Sequence, residues 1–372
     1  MKIVIDCFKL VKGVGKSIGI YNVAFNLSRQ LIRYKSLCND SNIKNAELII
    51  LGNKYNKADF DIDGVTFIEI KGYNPLNKLH CVFWELFAVS FTVKKSGADR
   101  VLFPRGFCAL THPVEDFIIV HDFIPFFYNE NFPGVFNRFE NGYIMNRLKA
   151  SVKACNNVIT ISQYSKNDIL KHCRTDEQKI KVIYHGYNKK EIDCTEASFR
   201  KPYICAITST LPHKNAKGIL ESYKRYCEIS ENPLDMTVVG IDDSYTSYLP
   251  EEIRSKITCY KYIKEDEKLY TVIHNSSLFL FLSLAEGFGL PPIEAMQLKV
   301  PVICSNRSSL PEVVGDAALL VNPENYDEVA EAIKGLLSDE NLKKALVEKG
   351  TKNITRFDWT VAAKHYWESL LS

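Results

Sequence analysis

The sequence predicts an α/β protein built from two Rossmann-like domains, and three observations carry that expectation. Short β-branched runs alternate with helical patterns along the chain, the signature of βαβ units that place helices on both faces of a parallel sheet. The runs form two consecutive series, one closing near residue 188 and the next opening at Lys201. At 372 residues the chain exceeds what one core usually serves, so two domains of roughly 150 to 200 residues are the natural division.

The first series, within 1–188, reads KIVID, ELIIL, DRVLF, FIIVHD, NVITIS and KVIYH. The stretch HGYNKKEIDCTEASFRKP at 185–202 is polar and follows neither period, so its centre, 189–200, is the expected linker. The second series, within 201–355, reads YICAITS, DMTVVG, ITCYKYI, SLFLFLS, VPVICS and AALLV, followed by helical sequence from Asp327 to Thr355. A final helix is expected over 356–372, where Trp359, Tyr366 and Trp367 recur at helical spacing. Those aromatics call for packing, and the sequence leaves open which domain receives them.

Composition narrows the function. Hydrophobic residues make up 46% and charged residues 24%, as in ordinary globular proteins. A net charge of +3 is too small to argue for nucleic acid, though it suits a ligand or surface carrying phosphate. The 11 cysteines are scattered singly with no CxxC pair, which reads as reduced core thiols in a cytosolic protein rather than zinc ligands. The opening run MKIVIDCFKL carries Asp6, which suits a buried first strand better than a signal peptide, so no export is expected.

Two apolar stretches, CVFWELFAVSFTV at 81–93 and SLFLFLSLA at 277–285, fall short of the about 20 residues a membrane span needs. The first could lie on a membrane as an interfacial helix, but Glu85, Lys94 and Lys95 fit a core-packed helix, which is the expected reading. The acidic DFDID at 59–63 has the form of a DxD metal motif, yet its place in a surface turn makes a solvated acidic turn the expectation. No metal site is expected.

The most informative segment is SLAEGFGLPPIEAM at 283–296. An apolar strand ends, a glycine-bearing loop follows, and Pro291 and Pro292 open a helix, where proline is favoured. Ligands of parallel sheets bind beyond the carboxyl ends of the strands, and a helix N-terminus there offers amides and positive dipole to an anion. Gly287 and Gly289 allow close approach of the main chain. Glu286 and Glu294 bracket the loop with seven residues between them. Phosphate repels carboxylates, so their use is to accept hydrogen bonds from vicinal hydroxyls of ribose or sugar. Taken alone, Glu294 would serve simply as a favourable charge at a helix N-terminus.

With these residues the sequence resembles the glycosyltransferase family 4 group of the GT-B fold, whose hallmark is an E-x7-E segment. The resemblance continues through LKVPVICSNRSSLPEVVGDAALLVNPEN at 298–325 and upstream to STLPHKNAKGILESYK at 209–224, so it covers nearly the whole chain. It implies two domains facing each other across a cleft, with the closing helix able to cross back to the first. It also implies a donor site in the C-terminal domain. Lys214 of TLPHKN matches the family lysine set against the donor diphosphate, and Glu286, Gly287, Phe288, Gly289, Leu290 and Glu294 belong to the motif. Many members carry an arginine a few residues before the lysine; here Thr208, Ser209 and Thr210 stand in that region, so Ser209 and Thr210 become donor ligands and more of the stabilisation falls on Lys214.

In the N-terminal half, KGVGKSIGIYNVAFNLSRQL at 12–31 resembles the family's glycine turn, with Gly19 at its last glycine, Ser17 in place of the first, and Gly15 as a further candidate. His121 and Asp122 of FIIVHDFIPF match an H-D-x-x-P segment whose histidine touches the donor hexose; Phe103, Pro104, Arg105 and Asp122 are candidates for the acceptor side. Ser162, Ser165 and Lys166 of ITISQYSKNDIL are expected to cap a helix. Tyr262 and Ile263 are candidates for main-chain contacts to the base, a mode that leaves GDP and UDP unseparated.

The resemblance implies a metal-independent, retaining transferase with Lys214, Glu286 and His121 as its catalytic set. The donor would be a GDP-, UDP- or dTDP-hexose, with mannose from GDP-mannose the first expectation and glucosyl, N-acetylglucosaminyl and rhamnosyl transfer as alternatives. The acceptor would be a saccharide or lipid-linked saccharide of a surface polysaccharide, met in the cytoplasm with peripheral contact at the inner membrane face. Three other classes are weaker. A GT-B epimerase is disfavoured by the E-x7-E and PHKN segments, and a non-catalytic partner subunit by the presence of Lys214, Glu286 and Glu294. A NAD-dependent oxidoreductase lacks its full glycine fingerprint.

Overall fold

The computed structural model describes residues 1–13, 18–188 and 202–372. The expected linker 189–200, and Gly15 and Ser17 of the glycine turn, lie outside the described residues. The chain divides into two compact units, Met1–Gly186 with Phe357–Ser372, and Tyr187–Arg356.

Among the described residues the first unit holds seven strands: β1 Lys2–Asp6, β2 Glu47–Gly52, β3 Val65–Glu69, β4 Arg100–Phe103, β5 Glu115–Val120, β6 Asn157–Thr160 and β7 Ile180–Val182. All pair in parallel, in the order β3-β2-β1-β4-β5-β6-β7. Six of the seven were expected. The seventh, β3, is an edge strand of mixed polar and apolar residues with none of its side chains fully buried, so it lacks the continuous apolar run that marks a doubly covered strand. The inner strands are almost wholly buried, and Val4, Ile49, Val101, Ile118 and Val158 share one core with Phe8, Trp84 and Val152.

The second unit holds β8 Tyr203–Ile207, β9 Asp235–Val239, β10 Ile257–Tyr260, β11 Leu278–Phe281, β12 Val302–Ser305 and β13 Leu319–Val321. These are the six strands expected, again all parallel, in the order β10-β9-β8-β11-β12-β13. The amphipathic helices Ala216–Ile229 and Tyr326–Ser338 bury Ile219, Leu220, Tyr223, Val329 and Ile333 against Ile204, Val238 and Leu280.

The question left open by the closing helix is answered within the first unit. Trp359–Leu371 packs beside helix Ile18–Leu37, and the Trp367 indole donates to the Leu31 carbonyl at 3.0 Å. Trp359 stacks on His185 with ring centres 5.7 Å apart, and a Cβ at Gly186 would stand 2.4 Å from Trp359. Trp359, Tyr366 and Trp367 are all buried, so the last sixteen residues complete the hydrophobic face of a unit begun more than three hundred residues earlier.

Candidate functional site

Each sheet reverses its direction of growth once. In the second unit the chain builds β8, β9 and β10 to one side and β11, β12 and β13 to the other, so β8 and β11 flank the point at which the strand order reverses. Such switch points are where open α/β sheets bind ligands.

Two loops meet there. After β8 the chain passes Thr208, Ser209 and Thr210, makes the 3₁₀ turn Pro212–Lys214, and enters helix Ala216–Ile229 through Asn215, whose φ of 55° is left-handed. Asparagine tolerates that region, and its side chain justifies the position. Its Nδ2 donates to the carbonyls of Leu282 at 3.0 Å and Pro323 at 3.1 Å, while its Oδ1 accepts from the Gly218 amide at 3.2 Å. The Thr208 hydroxyl donates to the Lys214 carbonyl at 2.8 Å. A Cβ on Gly240, at φ 114°, would lie 1.9 Å from the Thr208 carbonyl, so the close approach of β9's exit to this loop requires glycine.

After β11 comes the bracketed segment. Lys214 Nζ donates to Glu286 Oε1 at 2.6 Å, with the lysine side chain 27% and the glutamate 11% exposed. The same ammonium lies 6.0 Å from the centre of the Phe281 ring. The loop's shape is held from the turn after β12: the Glu286 amide donates to the Ser308 hydroxyl at 3.0 Å, and the Ser309 hydroxyl donates to the Glu286 and Phe288 carbonyls at 3.0 and 2.8 Å. Gly287, Phe288 and Gly289 are buried and Leu290 partly so. Gly289 has φ 109°, and a Cβ there would reach 2.5 Å from Leu310.

Helix Leu290–Gln297 begins directly after Gly289 with Pro291 and Pro292 in its first turn. Of the four N-terminal positions whose amides lack an intrahelical acceptor, the two prolines have no N–H. Gly289 and Leu290 are therefore the donors this terminus can offer an anion, alongside its dipole. Glu294 lies one turn on, where the Tyr270 hydroxyl donates to its Oε1 at 3.1 Å. Burial, followed by the neighbouring Glu294 charge, raises the Tyr270 phenol, which keeps it a donor.

Around this centre, Ser209 is half-buried and its hydroxyl accepts from the Leu211 amide at 3.3 Å, while Thr210 is exposed and its carbonyl accepts from Tyr245. Tyr262 is exposed and Ile263 buried in the loop after β10. His213 is buried beside Lys214, and burial with that cationic neighbour brings its imidazole down to about 4. Sequence reasoning overlooked Ser309, Tyr270 and Asn215. Ser309 with Glu312 has the S-x-x-E spacing of a capping box, but its side chain makes no cap bond to the following helix and instead fixes the 286–288 loop.

The first unit has its own switch point between β1 and β4. Asp6 ends β1, and its carboxyl accepts from the Phe8 amide and the Trp84 indole at 3.2 Å each; burial raises it to about 6. Glu85, buried, pairs with Lys9 and with Arg147 Nε at 3.4 Å. Arg105 donates to the Lys9 carbonyl at 3.2 Å, and burial lowers its guanidinium. His121 Nε2 lies 2.8 Å from the Pro104 carbonyl, which assigns the proton to Nε2 and leaves Nδ1 as an acceptor; burial takes the ring to about 4, so it is neutral at pH 7. Asp122 Oδ1 accepts from the Ile124 amide at 3.0 Å. Ser162 caps helix Gln163–His172 by accepting from the Ser165 amide at 3.0 Å, as expected. Gly19 is exposed, and a Cβ on it would meet no atom within 4 Å, so no described neighbour demands glycine there.

In the acidic segment, Asp59 lies on the short helix Lys57–Phe60 rather than in the expected turn and accepts from Tyr21, and Asp61 stands 4.0 Å from Lys57. Among the described residues, one trio with metal-ligand chemistry comes together, Cys108, His112 and Asp116, whose ligand atoms lie within 4.8 Å of one another. Spacing did not reveal it because the trio joins a loop to a strand. The His112 ring bonds the Asp116 carboxylate directly.

Residues 188–353 match the family model for glycosyl transferases group 1, and residues 47–191 match the glycosyltransferase family 4 model. The chain is 30% identical over 247 residues to the O-antigen chain mannosyltransferase of Salmonella typhimurium LT2, covering 65% of each chain. It is 26% identical over 231 residues to O-antigen chain mannosyltransferase B of Escherichia coli, covering 58% of this chain and 61% of that one. Both matches span less than two thirds of the relative's length. Among solved structures, WaaG, a glycosyltransferase involved in lipopolysaccharide biosynthesis, aligns over 99% of both chains with a TM-score of 0.72 at 12% identity. A glycosyltransferase from Rickettsia africae aligns over 99% of this chain and 97% of its own, with a TM-score of 0.68 at 17% identity. At such identities the likeness is one of fold.

Proposed function

The chain belongs to the glycosyltransferases that join a family 4 and a group 1 domain, and from that premise we propose that it moves a hexose from a nucleotide sugar to a saccharide or lipid-linked saccharide in surface polysaccharide assembly. Mannose from GDP-mannose is the first choice of donor, because both O-antigen relatives carry mannosyltransferase names. The observation that carries the reading is the meeting of Lys214 and Glu286 from two loops at a switch point, beside a helix N-terminus.

In the proposed reaction the donor diphosphate lies against Lys214 and the Gly289 and Leu290 amides. The bond from the sugar's C1 to the β-phosphate oxygen breaks, and positive charge on Lys214 and the helix dipole offset the charge developing on the leaving group. The acceptor oxygen forms the new bond to C1 on the same face, and its proton passes to a donor phosphate oxygen. Glu286 and Glu294 accept hydrogen bonds from hydroxyls of hexose and ribose. The chemistry needs no metal.

A panel of GDP-, UDP- and dTDP-sugars tests this, scored by thermal shift, donor hydrolysis and the anomeric configuration of the product. Stabilisation and slow hydrolysis with one GDP-hexose are expected. Indifference to every nucleotide sugar would remove the reading, and an inverted product would remove the mechanism.

A further inference from the structure

We propose that Cys108, His112 and Asp116 form a zinc site that ties the loop between β4 and β5 to the start of β5. Among the described residues, the thiol sulfur, a ring nitrogen and a carboxylate oxygen of these three lie within 4.8 Å of one another. Zinc holds such atoms at about 2.0 to 2.3 Å, which sets them about 3.5 Å apart in a tetrahedron. Binding therefore asks for side-chain shifts of about 1 Å. The His112 side chain, 29% exposed, borders solvent and gives the ion its way in.

The donor set selects the ion. A thiolate and an imidazole with one carboxylate suit zinc, whereas magnesium and calcium take oxygen ligands. Thiolate and carboxylate carry one negative charge each and the neutral imidazole none, so Zn²⁺ leaves the site without net charge. That balance matters because Cys108 and Asp116 are 1% and 2% exposed, and a buried carboxylate calls for a positive partner. The His112 ring bonds the Asp116 carboxylate, but an imidazole supplies charge only while protonated; the ion supplies it in every state. Burial pushes the Cys108 thiol up, so it ionises as zinc binds: the S–Zn bond forms, the S–H bond breaks and its proton passes to water. Water completes the fourth position on the solvent side.

The ligands are already held by their neighbours, as metal ligands usually are. The Cys108 amide donates to Ser151 Oγ at 3.1 Å, and its carbonyl accepts from Arg147 Nη2 at 2.6 Å. The Ser90 hydroxyl donates to the Thr111 carbonyl, next to His112, at 2.7 Å, and the Asn156 amide donates to Asp116 Oδ1 at 3.5 Å. Helices Val89–Lys95 and Arg138–Ala154 thus pin a loop that has no regular structure of its own between Phe103 and Glu115. Zinc adds a direct link from that loop to the sheet. Asp116 is the second residue of β5, about 13 Å before the strand's carboxyl end. The ion therefore stands away from the edge where ligands of such sheets bind, and its role is to stabilise the fold.

The test uses the full chain, stripped with a chelator and reconstituted with zinc alone or cobalt alone. About one zinc per chain by elemental analysis is expected, with a higher melting temperature than the stripped protein and, for cobalt, the absorption of a thiolate-to-cobalt transition. Cys108→Ser should abolish that absorption, and His112→Gln and Asp116→Asn should each weaken zinc binding at least about tenfold. Cys38→Ser alters a thiol outside the trio and should leave binding unchanged. His112→Gln separates loss of the site from loss of the fold, because the side chain borders solvent and an amide can still bond Asp116; circular dichroism of the stripped variant checks that it is folded. A wild type that takes up no zinc, or a Cys108→Ser protein that keeps the cobalt band, would overturn the proposal. So would His112→Gln and Asp116→Asn proteins that bind zinc as tightly as the wild type. No nucleotide sugar enters, so the outcome is independent of the transfer reaction.

Discussion

Lys214 Nζ and Glu286 Oε1 lie 2.6 Å apart, joining the loops that leave β8 and β11 on either side of a switch point. The two side chains are mostly shielded from water, where a lone charge is costly. Each therefore holds the other in place, and the donor diphosphate of the proposed reaction would meet an ammonium whose position is already set. Lys214→Ala is expected to lower kcat by about 10²- to 10³-fold. Glu286→Ala should lower it too, and the double variant should lose less than the product of the two losses, because the pair acts as a unit. Steady-state kinetics on the donor found by the panel check this; multiplicative losses would show independent roles.

In the proposed reaction Glu294 acts through binding rather than the chemical step. Removing hydrogen bonds to vicinal hydroxyls in Glu294→Ala should weaken nucleoside diphosphate binding about tenfold or more with little change in kcat. Tyr270→Phe, which removes only the hydroxyl that holds Glu294 Oε1, should give a smaller effect in the same direction. Calorimetric titration separates the two, and equal affinities for all three proteins would remove Glu294 from the site.

Ser309 is the support of the bracketed loop. Ser309→Ala leaves the carbonyls of Glu286 and Phe288 without that hydroxyl, at an expected cost of about 1 to 3 kcal/mol. Gly289→Ala should cost as much or more, since a Cβ would meet Leu310 at 2.5 Å and φ is 109°. Leu310→Ala added to Gly289→Ala relieves the contact but not the backbone strain, so recovery should be partial. Chemical denaturation of the four proteins measures it; full recovery would mean that contact alone mattered.

Acid should weaken the fold through its buried histidines. His121 and His213 are held near 4 by burial, and burial also lowers His185. Their neutral forms favour the folded state at pH above about 6.5, and that stability is lost as pH falls from about 6.5 toward 4, where the unfolded chain binds the extra protons. Asp6 and Asp168, each raised to about 6 by burial, act oppositely, favouring the folded state at low pH and less so as pH rises from about 4 to 6. His213→Gln should therefore flatten the acid side of the stability profile by up to about 1.4 kcal/mol per pH unit. Unfolding midpoints between pH 4 and 7 check this, and identical slopes would place the titration elsewhere.

Twelve of the thirteen strands among the described residues were legible as short, largely apolar runs; the edge strand Val65–Glu69, which mixes polar and apolar residues, escaped. The candidates Lys214, Glu286 and Glu294 stand in local motifs, the first two in the loops after β8 and β11 and the third in the helix that follows. The site's supports were not legible. Ser309 reads as a cap and Tyr270 as a helix aromatic, because their partners lie 21 to 24 residues away in sequence. Likewise Glu85 looks like one acid in an apolar helix until Lys9 and Arg147 arrive from distant elements.

The sequence by itself therefore determined the two parallel sheets and the order of elements along the chain, since periodicity and loop position are local properties. Only the tertiary structure decided that the closing helix Trp359–Leu371 completes the first unit, and that the 78–95 segment buries one side while exposing four large apolar residues on the other. It likewise set Lys214 against Glu286 at hydrogen-bonding distance. The physical reason is common to all three: which face of an element meets which neighbour depends on contacts between residues far apart in the chain.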